Sequence, residues 1–574
     1  MRIVHRVALT DAAAHLVTVE TTVIDEHPLP DPLELMFAVW TPGSYLVREY
    51  SRHVEGFVSE EHEVAKARKN RWSVRHGGAR EVTVRYRVYC AELTVRTNHV
   101  DATHVFLNGA PTFAAVAGRL DAPIELELDL PESFRVATSL ERISEEPSRY
   151  RAPSYDVLVD SPIEAGHLRR ASVVAAGKRH DFAIWPEHAV TDANVERLLE
   201  VTKTIVETEA ALFGGDLPHD GYDFLLHFSP RARGGLEHMT SAALIAPETS
   251  FDAREPFLDL ASLVAHEYFH LWNVKRMRPA GLAEYRYEEE NYTRLLWWFE
   301  GATSYYDWRV LRLGKICSVD EYLDHLAGEI AYLDATPGRL VHPLEDASFD
   351  AWIKLYRPDE SSPNTTVSYY RKGEIVNAVF DLEIRARSHG RASLDAVLLH
   401  LWRTHGARGV PVPEDGMQRL FEDAAGVPLG DLFDVLVRSA REVDVASALR
   451  GAGLAIERAA RGDATASLGV RTRADCGRLY VASVLRGCAA QRAGMDAGDE
   501  ILAVGGKRVD GTGLEPVLFG KHAGDATQVL VARDGRVLTL DAVLDGPRLD
   551  KIKIVPAKDA TEAETALRRA WLGE

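Results

Sequence analysis

Two histidines and a glutamate in one short segment have the types and spacing of a zinc site. Residues 266–270 read His-Glu-Tyr-Phe-His, so His266 and His270 are four positions apart and Glu267 follows the first of them. On an α-helix, residues at i and i+4 lie on one face about 6 Å apart along the axis, and two imidazoles so placed can bind one zinc ion. Glu267 can then reach a water molecule at the open coordination position. About 0.07 chance matches are expected in a chain with 22 histidines, so the segment predicts one catalytic Zn²⁺ per chain.

A catalytic zinc ion needs a third protein ligand, and two glutamates compete for that role. Glu289 lies 19 residues after His270 within the acidic run Glu288–Glu290, and such runs are usually solvated. Glu300 lies in the segment Leu295–Tyr306, which is rich in aromatic and apolar residues. A lone carboxylate in such surroundings is costly unless it is paired or bound to a metal. We therefore predict that Glu300 is the third ligand and keep Glu289 as the alternative.

The zinc segment and the motif at Glu300 resemble the glycyl aminopeptidase family of zinc metallopeptidases. Residues 266–276 read HEYFHLWNVKR, and residues 300–306 read EGATSYY. This family belongs to the gluzincins, has a thermolysin-like catalytic domain, and is distantly similar to aminopeptidase N and leukotriene A4 hydrolase. The interval between His270 and Glu300 is longer here than in aminopeptidase N. The Glu-Gly context, rather than the spacing, therefore supports Glu300.

Three further motifs extend the resemblance over nearly the whole chain. Residues 40–48 read WTPGSYLVR and match the family's N-terminal β domain. Residues 234–238 read GGLEH and match its amine-recognition strand, and residues 368–373 read SYYRKG and match its tyrosine motif. Together these motifs connect three separate parts of the chain to one active site.

The resemblance implies roles for the residues of these motifs. Gly234 and Gly235 would let the backbone approach the substrate closely, and Glu237 would bind the free α-ammonium group. Tyr370 would donate a hydrogen bond to the oxyanion that develops during hydrolysis, with Tyr369 as the fallback. The predicted catalytic residues are therefore Glu267 and Tyr370.

The elements expected to position these residues change in type along the chain. Up to about residue 165, apolar and polar residues alternate as in half-buried antiparallel strands. A helical stripe begins near residue 190, extended segments follow at 222–228 and 235–246, and helical patterning dominates from 258 to about 450. Asp307 follows Glu300 by two helical turns, where it could orient a ligand histidine or simply face solvent.

Short strands with glycine turns return after about residue 462. Residues 493–502 read AGMDAGDEIL and resemble a PDZ domain, in which a glycine-bearing loop binds the C-terminal carboxylate of a peptide. We predict a multidomain α+β fold with an N-terminal antiparallel β domain (1–165) and a thermolysin-like α/β zinc-peptidase domain with a helical extension (166–455). A C-terminal PDZ domain (462–546) and a tail (547–574) follow. The loop Leu468–Val470 is a short form of this carboxylate-binding loop. The sequence therefore does not decide whether the groove binds peptides.

Composition and charge exclude several functional classes. The chain has 574 residues, of which 46% are hydrophobic and 27% charged, as expected for a globular protein. Its net charge of −19 argues against nucleic acid or an anionic membrane as a partner. We find no apolar run long enough to span a membrane and no secretory leader. The four scattered cysteines indicate a reducing compartment, so we expect a cytoplasmic protein.

These observations predict a zinc-dependent aminopeptidase that hydrolyses N-terminal residues from peptides through a metal-activated water. The resemblance implies a preference for Gly, and less strongly for Ala, at the first position. Two other classes remain open. A zinc metalloendopeptidase could capture its substrates through the PDZ domain, and Glu237 would then be incidental. An inactive peptide-binding scaffold is disfavoured because ligands, base and tyrosine are all present.

Overall fold

The structure is a computed structural model that describes residues 1–230, 232–460, 462 and 465–574. It confirms the predicted multidomain α+β fold, with an N-terminal β domain, a peptidase domain and a C-terminal PDZ domain. The chain divides into two compact units. One comprises Met1–Thr293, Tyr306–Ile316 and Leu398–Glu414, and the other comprises Arg294–Tyr305, Cys317–Val397 and Asp415–Glu574.

The N-terminal domain consists mainly of strands. They are β1 (Arg2–Asp11), β2 (Leu16–Ile24), β3 (Leu33–Met36), β4 (Val54–Val58), β5 (Glu63–Arg68), β6 (Arg71–Arg75), β7 (Glu81–Tyr89), β8 (His99–Val100), β9 (His104–Leu107), β10 (Ala115–Val116), β11 (Ile124–Asp129), β12 (Arg135–Ala137), β13 (Glu141–Ser144), β14 (Ser148–Ala152) and β15 (Ile163–Gly166). Two short helices, α1 (Gly109–Thr112) and α2 (Tyr155–Val159), lie among them.

These strands form three sheets around one apolar core. Their orders are β13-β14-β11-β1-β2-β7-β4, β10-β3-β6-β5 and β12-β15-β9-β8. On β2 the side chains of Val17, Val19, Thr21 and Val23 are fully buried, whereas the residues that alternate with them are more exposed. This period of two is what a strand with one face on the core requires, and it is the pattern that the sequence shows.

The peptidase domain begins with a mixed sheet, which carries the predicted amine-recognition strand at its edge. Its strands are β16 (Arg169–Ala175), β17 (Lys178–Trp185), β18 (Gly221–Phe228), β19 (Gly234–Glu237) and β20 (Ser241–Ala246), in the order β16-β17-β18-β20-β19. Strand β19 runs antiparallel to β20. Leu236 is fully buried in an apolar cluster of this sheet, so the side-chain positions of Gly235 and Glu237 are on the opposite face.

Helices make up the rest of the peptidase domain. They are α3 (Asp192–Leu212), α4 (Arg254–Phe269), α5 (Leu296–Phe299), α6 (Gly301–Leu313), α7 (Val319–Asp334), α8 (Leu344–Phe349), α9 (Ser362–Thr365), α10 (Arg371–Arg387), α11 (Leu394–Thr404), α12 (Met417–Ala425), α13 (Gly430–Leu436) and α14 (Val445–Gly451). Helix α4 contains His266 and Glu267 of the zinc segment and packs against α3, β19 and β20. None of the helices in the described ranges has the length and hydropathy needed to cross a membrane.

The C-terminal part contains the PDZ sheet. Its elements are β21 (Leu454–Ala459), β22 (Val470–Asp475), β23 (Arg478–Val484), α15 (Ala489–Ala493), β24 (Glu500–Val504), β25 (Lys507–Arg508), α16 (Glu515–Leu518), β26 (Ala526–Arg533), β27 (Arg536–Val543), β28 (Lys551–Pro556) and α17 (Glu562–Leu572). The PDZ sheet has the order β22-β23-β24-β26-β27, and β25 pairs with β24. Strand β22 therefore lies at one edge of this sheet.

Residues 547–574, predicted to be a tail, are folded against neighbouring elements. Strand β28 pairs antiparallel with β21, and α17 starts with a capping box of Thr561 and Glu564. Trp571 near the end of α17 is fully buried, and its Nε1 donates a hydrogen bond to the hydroxyl of Tyr305, 3.0 Å away. Residues 547–574 are thus an integral part of the fold.

Candidate zinc site and active site

Helix α4 and its C-terminal cap place the two predicted zinc-binding histidines side by side. His266 lies in the last turn of α4, and His270 is the residue that follows the helix, still with helical backbone angles. The centroids of the two imidazole rings are 4.8 Å apart, and the rings are nearly perpendicular. Both side chains therefore lie at one end of α4, as the spacing of four residues requires.

Hydrogen bonds to the Nδ1 atoms define how the two imidazoles can bind a metal. Nδ1 of His266 lies 3.1 Å from Oδ2 of Asp307, and Nδ1 of His270 lies 2.6 Å from the carbonyl oxygen of Asn273. Each Nδ1–H donates to these acceptors, so each Nε2 keeps its lone pair for a metal ion. The two imidazoles can thus supply two of the three protein ligands that a catalytic zinc ion takes.

Asp307 is expected to orient His266 for metal binding. Replacing Asp307 with alanine should weaken zinc binding by about 10- to 100-fold, because partners that fix the tautomer of a ligand histidine typically contribute that much. Competition with a chelator measures the change. Asp423→Ala, which removes an exposed helix carboxylate, is the matched control. Equal zinc affinity in both variants would contradict an orienting role for Asp307.

The structure distinguishes the two candidates for the third ligand by their burial. Glu300 directly precedes α6 and is only 2% exposed. The side chain of Glu289 is 62% exposed and pairs with Arg286 at 3.2 Å. The acidic run at Glu288–Glu290 is therefore partly a surface feature, whereas Glu300 is a buried carboxylate of the kind that a bound cation compensates.

Tyr370 and Tyr369 differ in what their side chains can reach. Tyr369 is fully buried, and Tyr370 directly precedes α10, is half-buried, and has its hydroxyl 3.2 Å from that of Tyr356. Burial and then the negative charge of Glu300 raise the pKa of Tyr370 well above its usual value. Tyr370 therefore stays protonated at neutral pH and can donate a hydrogen bond to a ligand. Because Tyr370 is less buried than Tyr369, the structure favours Tyr370 as the donor.

Glu237 lies beside the predicted base and one of the two histidines predicted to bind zinc. Ligand atoms of Glu237, Glu267 and His270 all lie within 4.8 Å of one another, and all three residues are buried. Gly235 permits this approach, because a Cβ atom at that position would lie 2.1 Å from Oε1 of Glu267. Gly234 is less confined, with the nearest atom to such a Cβ being Nη1 of Arg96 at 3.7 Å. Of the two glycines, Gly235 is thus the sterically required one.

An ion pair that no sequence motif predicts holds the end of β19. Asp160 accepts hydrogen bonds from Nζ of Lys275 at 2.6 Å and from the backbone N–H of Met239 at 2.8 Å, and it contacts Nδ1 of His238 at 3.3 Å. Burial raises the pKa of Asp160, but the charge of Lys275 and the contact with His238 outweigh it and hold the pKa well below its usual range. Lys275 lies in the zinc motif, whereas no local motif marks Asp160.

A second buried network supports the other side of α4. The hydroxyl of Tyr268 lies 2.9 Å from Nε2 of His180 and 3.0 Å from Nε2 of His219. Burial lowers the pKa of His180 to about 4 and that of His219 to about 3, so both rings are neutral at pH 7. Burial and the charge of Asp307 raise the pKa of the nearby Glu209 well above its usual value. The residues that surround Tyr268 are therefore polar but carry little charge.

Comparisons with known proteins agree with this description. The family model of the Peptidase M61 N-terminal domain matches residues 5–167, that of M61 glycyl aminopeptidase matches residues 259–376, and that of the PDZ domain matches residues 466–544. An aminopeptidase N family protein from Idiomarina loihiensis has 28% identity and a TM-score of 0.93, over 99% of this chain and 100% of that chain. A search of the curated proteins returned no match.

Two further solved structures are more distant. An M1 zinc metallopeptidase variant from Deinococcus radiodurans, bound to a Tyr-Ser-Ala substrate, has 15% identity and a TM-score of 0.46 over 77% of this chain and 94% of that chain. Yeast LTA4 hydrolase in complex with bestatin has 14% identity and a TM-score of 0.45 over 76% of this chain and 66% of that chain.

The fold and the HExxH helix define a zinc metallopeptidase, and the protein is an aminopeptidase by class. The chain belongs to the M61 glycyl aminopeptidase family and carries a PDZ domain after the peptidase domain. The predicted family is therefore confirmed.

Proposed function

We propose that this aminopeptidase releases Gly, and less readily Ala, from the N-termini of peptides, using a water molecule activated by one zinc ion per chain. His266, His270 and Glu300 would hold the metal, and Glu267 would act as the base. The observation that carries the proposal is the position of Glu237, whose carboxylate lies within 4.8 Å of ligand atoms of Glu267 and His270. The preference for small first residues is supported by the match to the glycyl aminopeptidase family.

A carboxylate in this position explains why the substrate must have a free N-terminus. Glu237 is only 3% exposed, and its Oε1 has no hydrogen-bond partner among the described residues. A buried carboxylate oxygen without a partner is costly, and an ammonium group compensates it with charge-assisted hydrogen bonds. An α-ammonium bound there would place the first peptide bond of the substrate near Glu267 and the histidines.

The residues divide the chemistry among themselves. When bound, zinc supplies Lewis acidity that lowers the pKa of a water molecule toward about 7 and polarises the scissile carbonyl. Glu267 takes a proton from the attacking water and delivers it to the leaving amine. The Tyr370 hydroxyl, kept protonated by its raised pKa, donates a hydrogen bond to the carbonyl oxygen as negative charge develops there.

We propose that the PDZ domain binds the C-terminus of a peptide. A cavity of about 1020 Å³ lies between β22 and α16, and the loop Leu468–Val470 contributes to its lining. Strand β22 is at the edge of the PDZ sheet, so a peptide can add to it as a further strand. Apolar side chains such as Leu514 and Leu518 also line this cavity, which favours an apolar C-terminal residue.

Glu237→Ala tests whether the enzyme recognises a free amine. An ammonium–carboxylate hydrogen bond contributes about 1.5–3 kcal/mol, so its loss should lower kcat/KM on free-amine substrates about 10- to 150-fold. Substrates with an acetylated N-terminus never make this contact. The variant should therefore narrow the rate difference between free and acetylated Gly or Ala substrates by that factor, with unchanged zinc content.

The same measurement tests the alternative that this protein is an endopeptidase. The wild-type protein could cut acetylated peptides internally as fast as it cleaves free-amine substrates, and Glu237→Ala could show the same rates. The proposal that the enzyme recognises a free amine would then be wrong. Glu237→Gln, which keeps the shape of the side chain, separates the loss of charge from the loss of packing.

A further inference from the structure

A turn of the N-terminal domain lies directly against the carboxylate of Glu237. In this turn the backbone N–H of Ser44 donates to the carbonyl oxygen of Thr41 at 3.1 Å, and Gly43 has a φ of +84°. A Cβ atom at position 43 would lie 2.6 Å from both carboxylate oxygens of Glu237 and 2.7 Å from Cδ1 of Leu236. The backbone of the turn thus occupies the space beside the carboxylate.

The turn itself is held firmly in place. Trp40, which precedes it, is fully buried, and its Nε1 donates to the carbonyl oxygens of Arg286 and Glu289, each 2.9 Å away. Moving Gly43 aside would therefore be costly, and the carboxylate of Glu237 packs against a rigid backbone turn.

The polar atoms at this turn suit a bound ammonium group. Oε1 of Glu237 and Oγ of Ser44 are buried, and neither has a hydrogen-bond partner among the described residues. An ammonium group has three donors and compensates a buried carboxylate oxygen such as Oε1 of Glu237 through charge-assisted hydrogen bonds.

We propose that Gly43 is a positioning residue for the reaction, and that the Thr41–Tyr45 turn forms one wall of the site for the α-ammonium group of the substrate. Gly43 sets where the carboxylate of Glu237 lies, and thereby the distance from the ammonium group to the reacting carbonyl. This inference rests on the proposed role of Glu237. It adds that the N-terminal domain is part of the substrate site.

A double-mutant cycle tests the proposal. Gly43→Ala should lower kcat/KM on free-amine Gly substrates about 10- to 150-fold, the range expected for loss of the Glu237 contact. Its kcat/KM on acetylated substrates should change much less. Because both substitutions then remove one contact, Gly43→Ala/Glu237→Ala should be no slower than Glu237→Ala alone. Gly78→Ala is the control for backbone strain, since Gly78 has a φ of +86° with no atom within 4 Å of such a Cβ.

Several outcomes would overturn the proposal. Gly43→Ala could keep the wild-type preference for free-amine substrates. Alternatively, the reductions in kcat/KM caused by Gly43→Ala and by Glu237→Ala could multiply in the double variant. If Gly43→Ala fails to fold, Gly43→Ala/Glu237→Ala should melt at a higher temperature than Gly43→Ala, because the carboxylate that the new Cβ meets is gone, while the contact with Leu236 and the φ of +84° still cost stability relative to Glu237→Ala. A double variant that melts no higher than Gly43→Ala, with Gly78→Ala folded, contradicts the proposed contact. If Glu237→Ala alone leaves the preference unchanged, the proposed function fails instead.

Discussion

Glu267→Gln is expected to keep its zinc and to lose about 10²- to 10⁴-fold in kcat, the typical contribution of a general acid–base group. The amide keeps the shape of the side chain but cannot accept the proton of the attacking water. Gly235 leaves space for this side chain, since a Cβ there would lie 2.1 Å from Oε1 of Glu267, so the amide fits without moving β19. Metal analysis and steady-state kinetics on a free Gly substrate measure the two quantities separately.

The control for this variant is His270→Ala, which should lose the metal as well as the activity. A glutamine variant that also lost its zinc would identify Glu267 as a ligand rather than the base. Retention of more than about one tenth of the wild-type kcat would show that another group accepts the proton.

Glu300→Ala is expected to lose zinc, whereas Glu289→Ala should keep it. Catalytic zinc sites use three protein ligands, and the removal of one should weaken binding by more than the about 10- to 100-fold that indirect partners contribute. The two glutamates are matched in type but differ in burial, with Glu300 at 2% exposure and the Glu289 side chain at 62%. Dialysis against a chelator followed by metal analysis gives the result.

The reverse result, zinc loss in Glu289→Ala only, would require the surface glutamate to be the ligand and would refute the choice of Glu300. Circular dichroism on both variants excludes unfolding as the cause of metal loss.

The parts of the site that the sequence could predict are those that depend on local spacing. His266, Glu267 and His270 are close together because one helix turn sets their geometry, so their types and intervals suffice. The prediction of Glu300 uses a different signal, namely a carboxylate within an aromatic segment, and the structure places this carboxylate in a buried position. The alternation of apolar residues likewise predicted the N-terminal strands, because a half-buried strand imposes it.

The parts that the sequence could not predict depend on contacts between distant segments. Asp160 and Lys275 pair across 115 residues, and no spacing rule connects them. Gly43 lies against Glu237, which is nearly 200 residues away in sequence. The need for glycine at position 43 therefore becomes evident only from the tertiary structure. The burial of Trp571 against Tyr305 is also a contact between distant segments. It could not be predicted, because a charged amphipathic helix has the same sequence pattern whether it packs against the protein or lies in solvent.

The pairing of β21 with β28 makes the PDZ domain an insertion rather than an appendage. Ala459, at the end of β21, is the register partner of Lys551, at the start of β28. The chain therefore leaves the peptidase part and returns to it at neighbouring points of a single two-stranded ribbon. Domains whose ends lie close together can be inserted into a host fold or removed from it. A cut after Ala459 would sever α17 from the enzyme together with the PDZ domain, whereas a short turn joining Ala459 to Lys551 would remove the domain alone and leave Trp571 in place.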